Sequence, residues 1–306
     1  MHMPDRIMQN WFSLVRKGMA GLNQAESHLG SSVLPVMEKN LAHIYLADHK
    51  KFSNIFEPSI QWTEGRCSIY RFSYSFPLFR ERKETVYDNL AMLVSPLGNQ
   101  YKNWIDKIIR KAWIYGAEQL LFGTEVIDSK NFRFKLYLQF PPQSIPQKAK
   151  ILYQLGIPVL GEKERLSLSR LHLVGIDFGQ GGISRIKTYY LYNRINLTHQ
   201  PGRFFSLPFF NYLKSLGYTQ LTDVVSIRRI KGKGAIEGTN VSEIDLSLEK
   251  NGITWKTVGN FIQSRGYEFD LNIYEDLRSN FQIRENRLSF SIHHTGKLTL
   301  YYLVGS

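Results

Sequence analysis

The sequence predicts an α+β fold: a closed, ten-stranded antiparallel β-barrel of repeated α-α-β-β units inside an outer ring of helices. Three observations predict it. Five strand–turn–strand segments follow one another between residues 59 and 303. The second strand of each pair alternates polar and apolar residues, the period of a strand with two unlike faces. Helical segments that stop at a glycine stand between the pairs, as expected of left-handed helix stops.

Residues 1–55 read as helices packed outside the barrel. Trp11, Leu14, Val15, Met19 and Leu22 recur at helical spacing. A second helix over 31–47 carries Val33, Val36, Met37, Leu41 and Leu46, with Pro35 in its first turn. Later helices are expected over 99–115, 144–155, 205–216 and 254–265, before Gly116, Gly156, Gly217 and Gly266. The hairpins pair Ser59–Trp62 with Cys67–Phe76 and Leu120–Val126 with Phe132–Phe140. They continue with Leu171–Asp177 and Ile186–Tyr192, Val224–Ile230 and Val241–Leu248, and Leu288–His293 and Lys297–Leu303. Glycine and Asn/Asp clusters separate the members of each pair. The whole chain, 1–306, is thus expected to be one domain, with five hairpin repeats over 56–304.

The alternation sorts the polar residues onto one face. Arg71, Ser73 and Ser75 oppose Tyr70, Phe72, Tyr74 and Phe76; Arg133, Lys135, Tyr137 and Gln139 oppose Phe134, Leu136 and Leu138. Arg185, Lys187 and Tyr189 share a face opposite Thr188, Tyr190 and Tyr192. Glu243, Asp245 and Ser247 oppose Ile244, Leu246 and Leu248, and Lys297, Thr299 and Tyr301 oppose Leu298 and Leu300. Helices can cover only the apolar face. Closing the sheet gathers the polar faces into one lumen and removes the sheet edges. Arg71, Lys135, Arg185, Lys187 and Lys297 would converge there, joined by Arg228 beside Ser226. Clustered buried cations call for a polyanionic ligand. Tyr137, Tyr189 and Tyr301 lie two or four residues from those cations on the same faces. Phenol faces beside a phosphate site suit a ligand whose tail becomes cationic.

Composition narrows the partners. Net charge is +13, which fits nucleic acid or a small anion. No run of five basic residues occurs, and no helix-turn-helix, zinc or RNA-recognition motif is present. The single Cys67 rules out an internal disulfide framework and a cysteine-based zinc site. No apolar run of about 18 residues occurs, as a membrane helix would need. Arg6, Arg16 and Lys17 interrupt the apolar residues of the N-terminus, so no signal peptide is read there. A cytoplasmic protein is the expectation.

The ordered set Lys135-Leu136-Tyr137, Arg185-Ile186-Lys187-Thr188-Tyr189 and Lys297-Leu298-Thr299-Leu300-Tyr301-Tyr302, with Val174-Gly175-Ile176-Asp177 before the third turn, resembles the soluble aromatic prenyltransferases. This is the ABBA-type barrel family that includes phenol, indole and cyanobactin peptide prenyltransferases. The resemblance spans roughly residues 55–304. It implies transfer of a dimethylallyl or geranyl group from its diphosphate to an indole, a phenol or an aromatic residue of a cyclic peptide. It implies that Arg71, Lys135, Arg185, Lys187, Arg228 and Lys297 bind diphosphate and that Tyr137, Tyr189 and Tyr301 shield the carbocation. Magnesium-dependent relatives carry an aspartate where Arg71 stands. The implied enzyme therefore needs no cofactor, with Mg2+ stimulatory at most. No DDxxD-type motif is present.

The implied chemistry is electrophilic substitution: the cations stabilise the departing diphosphate, and the acceptor captures the allylic cation. A base then takes a proton. Related indole and peptide enzymes place a glutamate on the first strand of repeat one, where this chain has Gln61; Glu243 and His172 are the alternatives, for proton removal or acceptor positioning. Asp177 is expected to hold its turn. The competing functions are a non-enzymatic barrel for an anionic lipid or nucleotide-like ligand, and a nucleic-acid-binding protein.

Overall fold

The computed structural model describes residues 57–63, 66–77, 117–126, 132–140, 145–154, 168–179, 182–198, 208–231, 241–266, 283–291 and 297–304, with single helical positions at 84, 88, 103, 106 and 110. The helices expected within residues 1–55, and most of the one expected over 99–115, lie outside the described residues.

The strands are β1 (Glu57–Thr63), β2 (Arg66–Pro77), β3 (Gln119–Val126), β4 (Phe132–Gln139), β5 (Leu171–Gly179), β6 (Gly182–Asn196), β7 (Gln220–Lys231), β8 (Val241–Ser247), β9 (Ile283–Ser291) and β10 (Lys297–Val304). Every strand pairs antiparallel with its sequence neighbours. β1 also pairs with β10, through Ser59 opposite Tyr301 and Thr63 opposite Lys297, so the sheet closes on itself. Closure leaves no strand edge to template unwanted pairing. β6 runs through Asn196, four residues beyond its expected end, and pairs with β7 from Arg185 opposite Lys231 to Asn196 opposite Gln220.

Described helices are α1 (Ile145–Gln154), α2 (Pro208–Ser215) and α3 (Trp255–Ser264). Thr254 caps α3 by accepting a hydrogen bond from the Thr257 amide at 3.2 Å. Gly217 and Gly266 take the left-handed conformation at φ 89° and 77°, ending α2 and α3 where a side chain would be strained.

The apolar strand face looks outward onto these helices. Phe290 of β9 meets Phe209 and Phe210 of α2 with ring centroids 5.5 and 5.6 Å apart, and Phe209 meets Phe261 of α3 at 4.9 Å. Leu136, Leu138, Val174, Leu246, Leu288 and Leu300 are fully or almost fully buried on that outer face. Each such side chain contributes roughly 1.5–3 kcal/mol by leaving water. The helices thereby leave the polar face to the lumen.

Candidate active site

The strand register arranges the lumen in rows. Lys135 stands opposite Asp177, which stands opposite Arg185. The next row is Tyr137, Gly175, Lys187 and Arg229, and the one after it Leu173, Tyr189, Ile227 and Glu243. Farther from the hairpin turns come Val225, Asp245, Ser289, Thr299 and Gln61. The last row holds Ser247, Arg287, Tyr301, Ser59 and Arg71. Lys297 faces Thr63. Strand alternation alone puts these residues on one face; the ladder decides which of them meet.

Lys135 and Lys187 are buried, at 3% and 6% exposure, as are Asp177 and Glu243. Lys187 Nζ donates to Glu243 Oε2 at 2.8 Å, joining residues 56 positions apart. Arg185 Nε donates to Asp177 Oδ2 at 2.6 Å, and its Nη2 bonds the same oxygen. Burial by itself would push the Asp177 carboxyl up, but Lys135, Lys187 and Arg185 together hold it below the usual aspartate value. Asp177 is therefore a counter-ion of the cation cluster. The expected turn contact is made by its backbone oxygen, which accepts from Ser184 Oγ at 3.1 Å.

The tyrosines stand beside this cluster. Tyr137 and Tyr189 meet edge to face with centroids 5.9 Å apart and planes at 74°. Gly175 lies between them. A Cβ there would approach Tyr137 Cδ1 and Cε1 to 2.9 Å and Tyr189 Cε2 to 3.1 Å. Glycine is thus required for the rings to close over the strand. Tyr189 packs on Val225 and Ile227. Burial foremost, then Tyr137, Tyr301, Glu243 and Asp177, raise its phenol well above the ordinary value, so it stays neutral.

Of the expected cations, Lys135, Arg185 and Lys187 come together by side chain; Arg71 and Lys297 reach the lumen by backbone register, their side chains lying outside the described residues. Arg228 does not join them. It pairs with Thr188 and stacks over the Tyr190 ring at 4.6 Å, on the outer face. One residue of register reverses a strand's faces, and Arg229 takes the place opposite Lys187.

The three expected base candidates diverge. Glu243 is ion-paired to Lys187. Gln61 stands opposite Thr299 on the lumenal face. His172 sits at a register shift between Leu171 and Leu173. Burial, then Arg287, pushes its pKa down; its other charged neighbours are Asp223 and Lys148, not the Lys187–Glu243 pair. Arg287 is held by Asp223, whose Oδ1 lies 3.3 Å from Nη1 and whose backbone, at φ 53°, is left-handed. Sequence reasoning gave no role to Gly175, Asp223 or Arg287. For Gly175 the signal was present, because it shares the lumenal period of Leu173 and Asp177.

No protein-family model matches the sequence, and no curated protein matches it. Solved structures do. The prenyltransferase PriB in ternary complex with L-tryptophan and dimethylallyl thiolodiphosphate matches with a TM-score of 0.62 at 11% identity, over 97% of this chain and 95% of that one. AnaPT from Neosartorya fischeri matches with a TM-score of 0.60 at 11% identity, covering 98% and 96%. The 5-dimethylallyltryptophan synthase from Streptomyces coelicolor gives 0.58 at 13% identity, covering 95% of each chain. Matches of this extent lead to one conclusion: the fold of this chain is that of the ABBA-type aromatic prenyltransferases.

Proposed function

We propose that the protein is an aromatic prenyltransferase that moves a dimethylallyl or geranyl group from its diphosphate onto an aromatic acceptor. The acceptor is an indole or phenol metabolite, or an aromatic residue of a cyclic peptide. The observation that carries this is the juxtaposition of buried Lys135 and Lys187 and partly buried Arg185 with the Tyr137–Tyr189 pair on one lumenal wall. Nothing in a simple anion-binding barrel calls for paired phenol faces beside the cations. The fold supports the same reading, since PriB and NotF have been solved with the diphosphate analogue and with L-tryptophan or brevianamide F respectively.

In this scheme the diphosphate takes hydrogen bonds from Lys135, Arg185 and Lys187, joined by Arg71 and Lys297 from the neighbouring wall. Asp177 and Glu243 hold the first set in place. The allylic C–O bond breaks and its electron pair leaves with the diphosphate. Tyr137, Tyr189 and Tyr301 face the resulting cation, each contact worth about 2 kcal/mol where water is excluded. They also keep water from capturing it. The closed barrel, with α2 and α3 packed against its outer face, provides that exclusion. No metal is assigned a role: the positive charge that would assist diphosphate departure is supplied by side chains.

The test is a mass-spectrometric screen of the purified protein. Donors are dimethylallyl, geranyl and farnesyl diphosphate; acceptors are tryptophan, tyrosine, simple indoles, dihydroxynaphthalene and aromatic cyclic peptides. Each pair is run with EDTA and with magnesium. A prenylated product that survives EDTA and disappears in Lys135→Ala supports both the activity and its metal independence. Absence of product, of diphosphate hydrolysis and of thiolo-diphosphate binding overturns the proposal and favours a barrel for another anion. Tight binding of nucleic acid with a steep salt dependence would overturn it as well.

A further inference from the structure

β8 carries two carboxylates on its lumenal face, Glu243 and Asp245, about 7 Å apart along the strand. They are not equivalent. Glu243 is bound by Lys187 Nζ at 2.8 Å and belongs to the cation cluster. Asp245 is one step farther from the hairpin turn, opposite Val225 on one side and Ser289 on the other. Val225 packs against Tyr189, so Asp245 borders the tyrosine wall on the side away from Lys135 and Arg185. Its Oδ1 is buried and accepts no hydrogen bond. Following the ladder through Ser289 and Thr299 leads to Gln61, at the same level of the barrel. An amide cannot take a proton, and a carboxylate clamped by an ammonium group is a poor proton acceptor. Asp177 Oδ1 is also open, but that carboxyl sits among Lys135, Arg185 and Lys187; Asp245 is the described open carboxylate on the side of the tyrosines away from those cations.

We propose that Asp245 accepts the proton released by the aromatic acceptor, which lies between Asp245 and Gln61 beyond the tyrosine shield. The inference rests on the prenyltransferase function proposed above. The new C–C bond takes its electron pair from the aromatic ring. The C–H bond at that carbon then breaks, its electrons restore the ring, and the proton passes to an Asp245 oxygen. For a heteroatom acceptor, the N–H or O–H proton moves to the same oxygen. The diphosphate has already left with the electrons of the C–O bond, so charge and atoms balance. Gln61 holds the acceptor by a hydrogen bond.

The charges that face Asp245 come from three strands: Glu243 on its own strand, Arg287 on β9 and Lys187 on β6, with Ser289 donating a hydrogen bond. Burial is the largest influence and pushes the carboxyl above the usual aspartate value; Arg287 opposes it. That makes Asp245 a stronger base than a solvated aspartate. A base acts deprotonated, so turnover falls as pH drops through its pKa, and the acid limb stands at higher pH than for a solvated aspartate.

The experiment uses the full chain with dimethylallyl diphosphate and whichever acceptor of the above screen the wild type prenylates. Asp245→Asn should retain affinity for dimethylallyl thiolodiphosphate within about twofold. It should retain acceptor-independent hydrolysis of the donor, lose about 100-fold or more in product formation, and lose the acid limb of the kcat/KM profile. Asp245→Glu should keep that limb and part of the rate. Glu243→Gln, by contrast, should weaken binding of the analogue. Should Asp245→Asn fail to fold, the acid limb and rate of Asp245→Glu, compared with those of Gln61→Ala, decide the matter. Wild-type product formation and an unchanged pH profile in Asp245→Asn overturn the inference while leaving the activity standing. A wild type that prenylates none of the probes overturns the activity, and the inference with it.

Discussion

Replacing Gly175 by alanine perturbs the site through one methyl group. The added carbon would sit 2.9 Å from two ring carbons of Tyr137 and 3.1 Å from one of Tyr189. Carbon atoms prefer separations of about 3.5–4.0 Å, so Tyr137 must retreat by roughly 0.6 Å. The ring is wedged edge to face against Tyr189, which rests on Val225 and Ile227, so the strain spreads into packed neighbours. Overpacking of this kind costs about 1–3 kcal/mol. Thermal or denaturant unfolding of wild type, Gly175→Ala, Tyr137→Ala and the double variant forms a cycle that isolates the clash. With Tyr137 truncated the methyl group has room, so Gly175→Ala should then cost about 1 kcal/mol less than in the wild type, or more. In the wild-type background the displaced ring should also admit water, shifting donor turnover from prenylated product to the hydrolysed alcohol. An equal cost in both backgrounds, with unchanged product partition, would refute the argument that this glycine exists to seat the two rings.

Other outcomes follow from the same wall. Lys187→Ala takes the ammonium partner from buried Glu243 and should lower stability by about 3–5 kcal/mol; adding Glu243→Gln should recover much of that in a denaturant melt without restoring affinity for the thiolo-diphosphate. Asp177 is held below its ordinary value of 3.8, so its contribution to stability is complete above that pH and is lost as pH falls through the depressed folded value. Asp177→Asn should therefore flatten the acid end of a stability-against-pH curve. The Tyr189 phenol is raised in the folded state, which favours folding at neutral pH and is lost as pH rises towards the folded value. Absorbance titration should show one fewer tyrosine ionising in Tyr189→Phe only where the wild type begins to unfold. Arg228→Gln should leave diphosphate affinity unchanged, whereas Lys135→Ala should weaken it tenfold or more.

Alternation of residue type along single strands was enough to place Lys135, Tyr137, Arg185, Lys187, Tyr189, Glu243 and Tyr301 on one wall. Each of those assignments depends on a side chain's own strand, and the two-residue period is a local property of the backbone. The helix stops at Gly217 and Gly266 were legible for the same reason: a left-handed residue is required at the stop itself. The sequence could not say which lumenal residues meet. The Lys187–Glu243 pair spans 56 positions, and the ladder through β7 alone decides it. The same ladder moved Arg228 to the outside and brought Arg229 opposite Lys187, because position beside a serine carries no information about the face a neighbouring strand confers. Asp177 read as a turn residue because its turn is near in sequence, while its partners Lys135 and Arg185 come from the strands on either side. Composition and period thus determined a basic, tyrosine-lined lumen, and register decided its partnerships, since hydrogen-bonded closure is a property of all the strands together.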